Sequence, residues 1–203
     1  MVFCKKNKFL VNHSNNDNIN EFDFDNYYKL VSEFYNFNKK IEIKIYFLQS
    51  LEEFNFFNPY GEFKNWSCGF LSGKIIYVLS PNIIEKLTIH KKEEIPEIII
   101  HEMSHLFYYL SEFRNISLIN EGLATYLMDL YKKRDMFSKD INLNEINIID
   151  PKIPKNIQYS MGRSIVSNIL KKFSKKKLFD FLIKSKNSSN IDIIKEFKEE
   201  FKD

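Results

Sequence analysis

His101, Glu102 and His105 spell H-E-x-x-H inside the otherwise apolar run Ile98–Leu110, IIIHEMSHLFYYL. On an α-helix, residues four apart differ by roughly 40° around the axis and about 6 Å along it, so both imidazoles point the same way. Two imidazoles so placed can share one Zn²⁺ at roughly 2.0–2.1 Å each. Glu102 falls at the edge of that face, where a carboxylate can accept a proton from water activated by the ion. Ile99, Met103, Leu106 and Leu110 recur on another face at core spacing. A cation would offset the cost of burying polar groups in such a segment. The plain alternative is a metal-free helix whose histidines are ordinary satisfied polar groups. Against it, the chain has only 4 histidines, and two of them fall at this spacing.

A zinc site able to catalyse needs a third protein ligand and an open fourth position. Glu121 lies 16 residues beyond His105, in LINEGLATYL. That gap lets the chain leave one helix, turn near Asn115 and begin another. Asn120 or a neighbour is expected to cap the second helix, with Glu121 in its first turn. Gly122, lacking a side chain, would then let this helix pack closely against the first. Glu121 could instead simply favour the positive end of a helix dipole.

These residues need elements to hold them. Asp25–Phe37 carries a helical stripe, and KIEIKIYFLQS alternates as a strand does. LEEFNFF reads as a short helix, WSCGFLSGKIIYVLS as two strands around a turn at Ser72–Gly73, and NIIEKL as a short helix. The H-E-x-x-H helix is expected from about Glu94 or Pro96 to Leu110, and a second helix from near Asn120. Residues 135–157, with Pro151 and Pro154, read as irregular, and three helices follow. The expected fold is α+β: a small antiparallel or mixed sheet packed on the H-E-x-x-H helix, then a mostly helical C-terminal part. One domain spans 1–203, with 1–20 a loose arm or short edge element, 21–112 the α/β part, and 113–203 the helical part.

The composition suits this. At 203 residues, 44% hydrophobic and 28% charged, the chain can bury a real core. A net charge of +3 argues for no nucleic-acid partner. No apolar stretch is long enough to span a bilayer, and no signal peptide is seen, so a cytoplasmic location is expected. Cys4 and Cys68 form neither a disulfide framework nor a metal motif, and Cys68 reads as a small buried hydrophobe. Trp66 is expected in the core, and Arg163 in a solvated salt bridge. Oligomeric state is not written in the sequence.

The residues HEMSH at 101–105 and NEGLATY at 120–126 resemble the gluzincin zinc metallopeptidases, the thermolysin-like group. They look especially like minimal catalytic domains related to the zinc aminopeptidase family, in which an N-E-G-x-A segment supplies the third ligand. The resemblance implies one Zn²⁺ per chain, held by His101, His105 and Glu121, with Glu102 as general base. In that family a tyrosine in a Y-x-x-G segment holds the oxyanion; here QYSMGRSIV offers Tyr159 and Gly162 at that spacing. Tyr126 and Tyr108 are lesser candidates. GFLSGKIIYVL looks like the family's hairpin whose edge strand pairs with extended substrate, which implies substrate-binding backbone at Gly69, Phe70 and Leu71.

Two departures matter. The G-x-M-E-N segment that reads a free amine in the aminopeptidases is missing, with SCGFLSGK in its place. Thermolysin-like proteins often carry an Asp four residues after the zinc Glu, where this chain has Thr125. The expected function is zinc-dependent hydrolysis of a peptide or protein substrate, endopeptidase favoured over aminopeptidase. The alternative is a zinc-stabilised, non-catalytic binding or regulatory module of the same fold. A peptide deformylase, sharing H-E-x-x-H, would need a cysteine ligand in an E-G-C-L setting that Cys68 lacks.

Overall fold

The computed structural model describes residues 2–134, 140–150 and 152–202. The fold is α+β with a mixed sheet and a helical C-terminal part. Two compact units divide at Phe107/Tyr108, inside one helix.

The first unit is built on a 5-stranded sheet of order β1-β2-β3-β5-β4. Its strands are β1 Val2–Lys6, β2 Phe9–His13, β3 Ile43–Leu48, β4 Gly69–Ser72 and β5 Ile75–Leu79. β2, β3 and β5 run parallel, while β1 and β4 are antiparallel edges. Helices α1 Phe24–Phe34 and α2 Leu51–Phe57 connect strands, and α3 Ile84–Leu87 and α4 Ile95–Leu110 follow β5. Asp23 starts α1 by accepting the Asn26 N–H, and Ser50 starts α2 by accepting that of Glu53.

Strand alternation divides the sheet into two faces. Phe9, Val11, Ile43, Ile45, Ile76 and Val78 are all buried. On this face Phe9 meets Phe24 and Tyr28 of α1, and Tyr28 meets Phe107 of α4. On the other face Phe70 and Tyr77 stack, and Phe54 and Phe57 of α2 close over them. The first 20 residues thus give β1 at one edge and β2 inside the sheet, where a loose arm or a short edge element was expected. The hairpin turn falls at Gly73–Lys74, one residue later than expected, because Ser72 pairs with Ile75.

Beyond the ends of the three parallel strands, one carboxylate gathers the chain. Asp17 Oδ1 accepts from the Ser80 hydroxyl and from Asn82 Nδ2 at 2.8 Å. Its Oδ2 accepts from Ser14 N–H at 2.9 Å and Gln49 Nε2 at 2.8 Å. These partners follow β2, β3 and β5, so Asp17 ties three loops together while itself buried.

The second unit comprises the end of α4, then α5 Ser117–Lys132, α6 Lys155–Lys172, α7 Lys175–Lys184 and α8 Asn190–Glu200. Phe181, Phe197 and Phe201 form its aromatic centre, with Phe173 against Phe201. The turn after α4 is pinned by Arg114, whose N–H donates to the Leu182 carbonyl and whose guanidinium reaches Lys186 O and Asn190 Oδ1. Of residues 135–157, those described are irregular apart from the 3₁₀ turn Leu143–Glu145 and the start of α6; Pro151 lies outside the described residues. No helix among the described residues is long and apolar enough to cross a membrane.

Asp17→Ala should cost the first unit about 3 kcal/mol, because the buried Ser80 hydroxyl and three further donors lose their acceptor together. Urea unfolding followed through Trp66, which lies in that unit and is the chain's 1 tryptophan, measures it. A midpoint no lower than that of an exposed control such as Lys44→Ala would contradict the assignment.

Candidate metal centre

Helix α4 is buried around its whole circumference over most of its length. Ile95, Ile98, Ile99, Ile100, Met103, Leu106 and Phe107 are all buried, and so are His101, Glu102 and Ser104. The single core-facing stripe expected from the sequence is therefore too narrow a description. Two side chains fix the helix's rotation. Phe107 sits among Tyr28, Tyr35 and Phe37. Ser104 Oγ lies 2.8 Å from the Tyr35 hydroxyl, a buried hydrogen bond. Burial pushes that phenol's pKa far up, although the Ser104 bond acts the other way, so Tyr35 stays protonated.

With the helix so held, His101 Nε2 and His105 Nε2 face one another at 3.1 Å, their rings nearly perpendicular with centroids 4.7 Å apart. Two nitrogens on a tetrahedral zinc, at roughly 2.0–2.1 Å each, are separated by roughly 3.3 Å. The pair has nearly that spacing already. His101, His105 and Glu121 each offer one ligand atom, and these atoms lie within 4.8 Å of one another, a group able to hold a metal ion. Two imidazoles and one carboxylate are a donor set that suits a borderline-soft divalent cation.

Glu102 lies against the edge strand. A Cβ built on Gly69 would stand 3.5 Å from Glu102 Cγ and only 2.7 Å from Ile98 Cγ2. The missing side chain at Gly69 is what lets β4 run this close to α4. Its neighbour Cys68 is buried, and burial pushes its thiol far up in pKa, with the charges of Glu102 and Glu94 adding to the effect. A thiol held in that form is neither a ready ligand nor a nucleophile. Gly69, Phe70 and Leu71 occupy β4 as the hairpin reading expected; Phe70 points to α2 and the other two to the α4 face.

Two expectations about α5 need correction. The helix begins at Ser117 after Ile116, not near Asn120, so Glu121 stands in its second turn, beyond the first-turn position where a dipole role would apply. Gly122 packs not on the H-E-x-x-H helix but on α6. A Cβ there would lie 2.3 Å from the Gly162 carbonyl oxygen, and one on Gly162 would lie 2.3 Å from that of Leu118. The Thr125 hydroxyl donates to the Glu121 carbonyl at 2.9 Å, so it serves the helix backbone where relatives of the resembled family often place an Asp.

Tyr159 is half-buried on α6, one turn before Gly162, so the glycine crossing that positions Glu121 on α5 also positions Tyr159 on α6. Tyr108 is spoken for, its hydroxyl donating to the Arg114 carbonyl. Tyr126 is half-buried, and burial raises its phenol. Arg163 pairs with the buried Asp129 of α5, whose other oxygen faces Arg134 at 3.5 Å, a more enclosed bridge than the solvated one expected. Trp66 is only half-buried. Ser104 escaped notice in the sequence because it fills one of the variable positions of H-E-x-x-H. Its partner Tyr35, far upstream, is unmarked by any spacing.

Comparison with protein-family models, curated proteins and solved structures finds no match for this chain.

Gly162→Ala forces a Cβ into backbone, which cannot move aside like a flexible side chain. It should destabilise the second unit by about 3 kcal/mol. Thermal unfolding by far-ultraviolet circular dichroism would show this beside Ser160→Ala, an exposed change on the same helix. Equal midpoints would mean the helices separate at little cost.

Proposed function

We propose that this chain is a zinc-dependent peptidase that cleaves peptide bonds within extended peptide or protein substrates. The observation that carries the reading is the mutual approach, within 4.8 Å, of donor atoms from His101, His105 and Glu121. Beside a ligand histidine stands a buried carboxylate, Glu102, and against that carboxylate runs an edge strand.

A zinc ion held by these three residues would supply a Lewis acid that lowers the pKa of water toward about 7 and polarises a carbonyl. The chain's own residues do the rest. Glu102 accepts the proton of the attacking water and returns it to the leaving amine, a role for which its position one residue after His101 is suited. Its burial keeps bulk water from competing for that proton. Outward-facing backbone of β4 holds substrate by main-chain hydrogen bonds, as strand addition does elsewhere. Tyr159 is the proposed donor to the developing oxyanion, a contribution on the order of 3 kcal/mol where such donors operate. The retained Glu102 favours this over a binding module that keeps the metal and lacks the reaction. The absence of a G-x-M-E-N segment favours endopeptidase action.

Untagged protein should contain one equivalent of zinc by elemental analysis, and take it up again after chelation. Glu102→Gln should keep the zinc while losing roughly 10²–10⁴ of the cleavage rate on a mixed peptide library. Glu121→Ala should weaken zinc binding by about two orders of magnitude or more, since even residues that only orient ligands contribute 10–100-fold. Unchanged affinity in Glu121→Ala would sink the three-ligand site. Full zinc with no cleavage by wild type would leave the binding module in its place.

A further inference from the structure

Edge strands expose backbone groups, and in an antiparallel pair those groups alternate between the partner strand and the free edge. Leu79 N–H donates to the Cys68 carbonyl at 2.8 Å, so Cys68 and Leu79 form a hydrogen-bonded pair. By the same register Phe70/Tyr77 and Ser72/Ile75 are hydrogen-bonded pairs. Gly69 and Leu71 therefore turn their N–H and C=O groups outward, away from β5. Gly69 adjoins Glu102. Two residues on, the outward carbonyl of Leu71 accepts the Tyr60 hydroxyl at 2.9 Å.

Tyr60 lies in the loop after α2 and is 61% exposed, too open for packing alone to fix its direction. The turn that aims it is braced by one side chain. Asn58 Oδ1 accepts the Tyr60 N–H at 3.0 Å, and Asn58 Nδ2 donates to the Gly61 carbonyl at 2.9 Å. Gly61 completes the reversal at φ 101°, where a side chain would be strained.

We propose that Tyr60 is a specificity-determining residue that limits how far an extended peptide can pair along β4, a role that rests on the peptidase reading above. A peptide laid on the edge meets the outward backbone of Gly69, beside the general base. Past it, the acceptor on Leu71 is already engaged. Substrate residues on that side lose the bond to that carbonyl unless Tyr60 swings away, which weakens pairing there and shortens the stretch of chain the enzyme reads.

The test uses the full chain and the conservative variant Tyr60→Phe, which keeps the ring and removes only the hydroxyl. Fluorogenic peptides are lengthened stepwise from the scissile bond in each direction. In wild type, lengthening in one direction should improve kcat/KM and lengthening in the other should not. In Tyr60→Phe the silent direction should gain about threefold to tenfold, the worth of one backbone hydrogen bond, and the gain should appear in KM rather than kcat. Equal length dependence in both directions in wild type, or an unchanged profile in the variant, overturns the proposal. If wild type cleaves nothing, the peptidase reading fails by itself, and binding decides the fate of Tyr60. A labelled extended peptide rich in Thr and Val should then bind Tyr60→Phe about threefold to tenfold more tightly, with slowed amide exchange at Leu71. Equal or undetectable binding in both proteins overturns it.

Discussion

A helix enclosed over most of its length carries the titratable groups of the first unit's candidate site. α4 carries two imidazoles and two carboxylates, Glu97 and Glu102, and His101 and Glu102 are each only 7% exposed. Burial of such groups is tolerated when each is paired. The imidazoles meet Nε2 to Nε2, an arrangement in which a single shared proton or a single shared cation satisfies both lone pairs. Two ring nitrogens that face one another suit a shared cation, and Glu121 offers a carboxylate oxygen to the same group. Zinc is thus proposed from the donor set and its spacing.

The sheet matters because it sets the distance between this helix and anything lying on its edge. β4 passes close to α4 because residue 69 has no side chain to hold the two apart. The same closeness sets the outward backbone of β4 near Glu102. The proposed general base, buried in a helix, would be idle unless backbone that can hold a substrate ran beside it, and one glycine contact supplies both the packing and the proximity. The aromatic stack of Phe54, Phe57, Phe70 and Tyr77 holds the opposite face of the strand, so β4 is clamped from both sides.

Much of this was legible in the residue order. The H-E-x-x-H spacing, the helix of α4 and the alternation of β3 are local periodic signals, and they emerge where they were expected. The inner strand β2 was not, because its five residues end in Asn12 and His13 within an Asn-rich stretch, and its burial depends on β3 pairing from more than thirty residues away. Glu121 was recognised, but not its place in the helix: Ser117 and Leu118 extend α5 upstream without any capping side chain to announce the start. The true neighbour of Gly122 lies on a helix that sequence spacing cannot bring to it. Tyr60 gives no signal at all, since a hydroxyl meeting a strand carbonyl leaves no pattern.

Glycine usage carries the last step. The chain holds 5 glycines in 203 residues, a sparse supply in a composition rich in Asn, Ile and Lys. Three of the five, Gly69, Gly122 and Gly162, stand where any Cβ would fall under 3.0 Å from a neighbour. Gly69 lies where a side chain would meet the proposed base, Gly122 follows the proposed third ligand, and Gly162 lies one turn from the proposed oxyanion donor. In the two helices each glycine costs about 1 kcal/mol of helix propensity relative to alanine, a cost the close α5–α6 crossing offsets. Their common property is that each fixes the backbone beside a group that chemistry would need within about half an ångström of its working position. A fold that only had to bury its core could have met these crossings with small side chains and wider spacing. Closeness at these three points is what the proposed reaction centre would require.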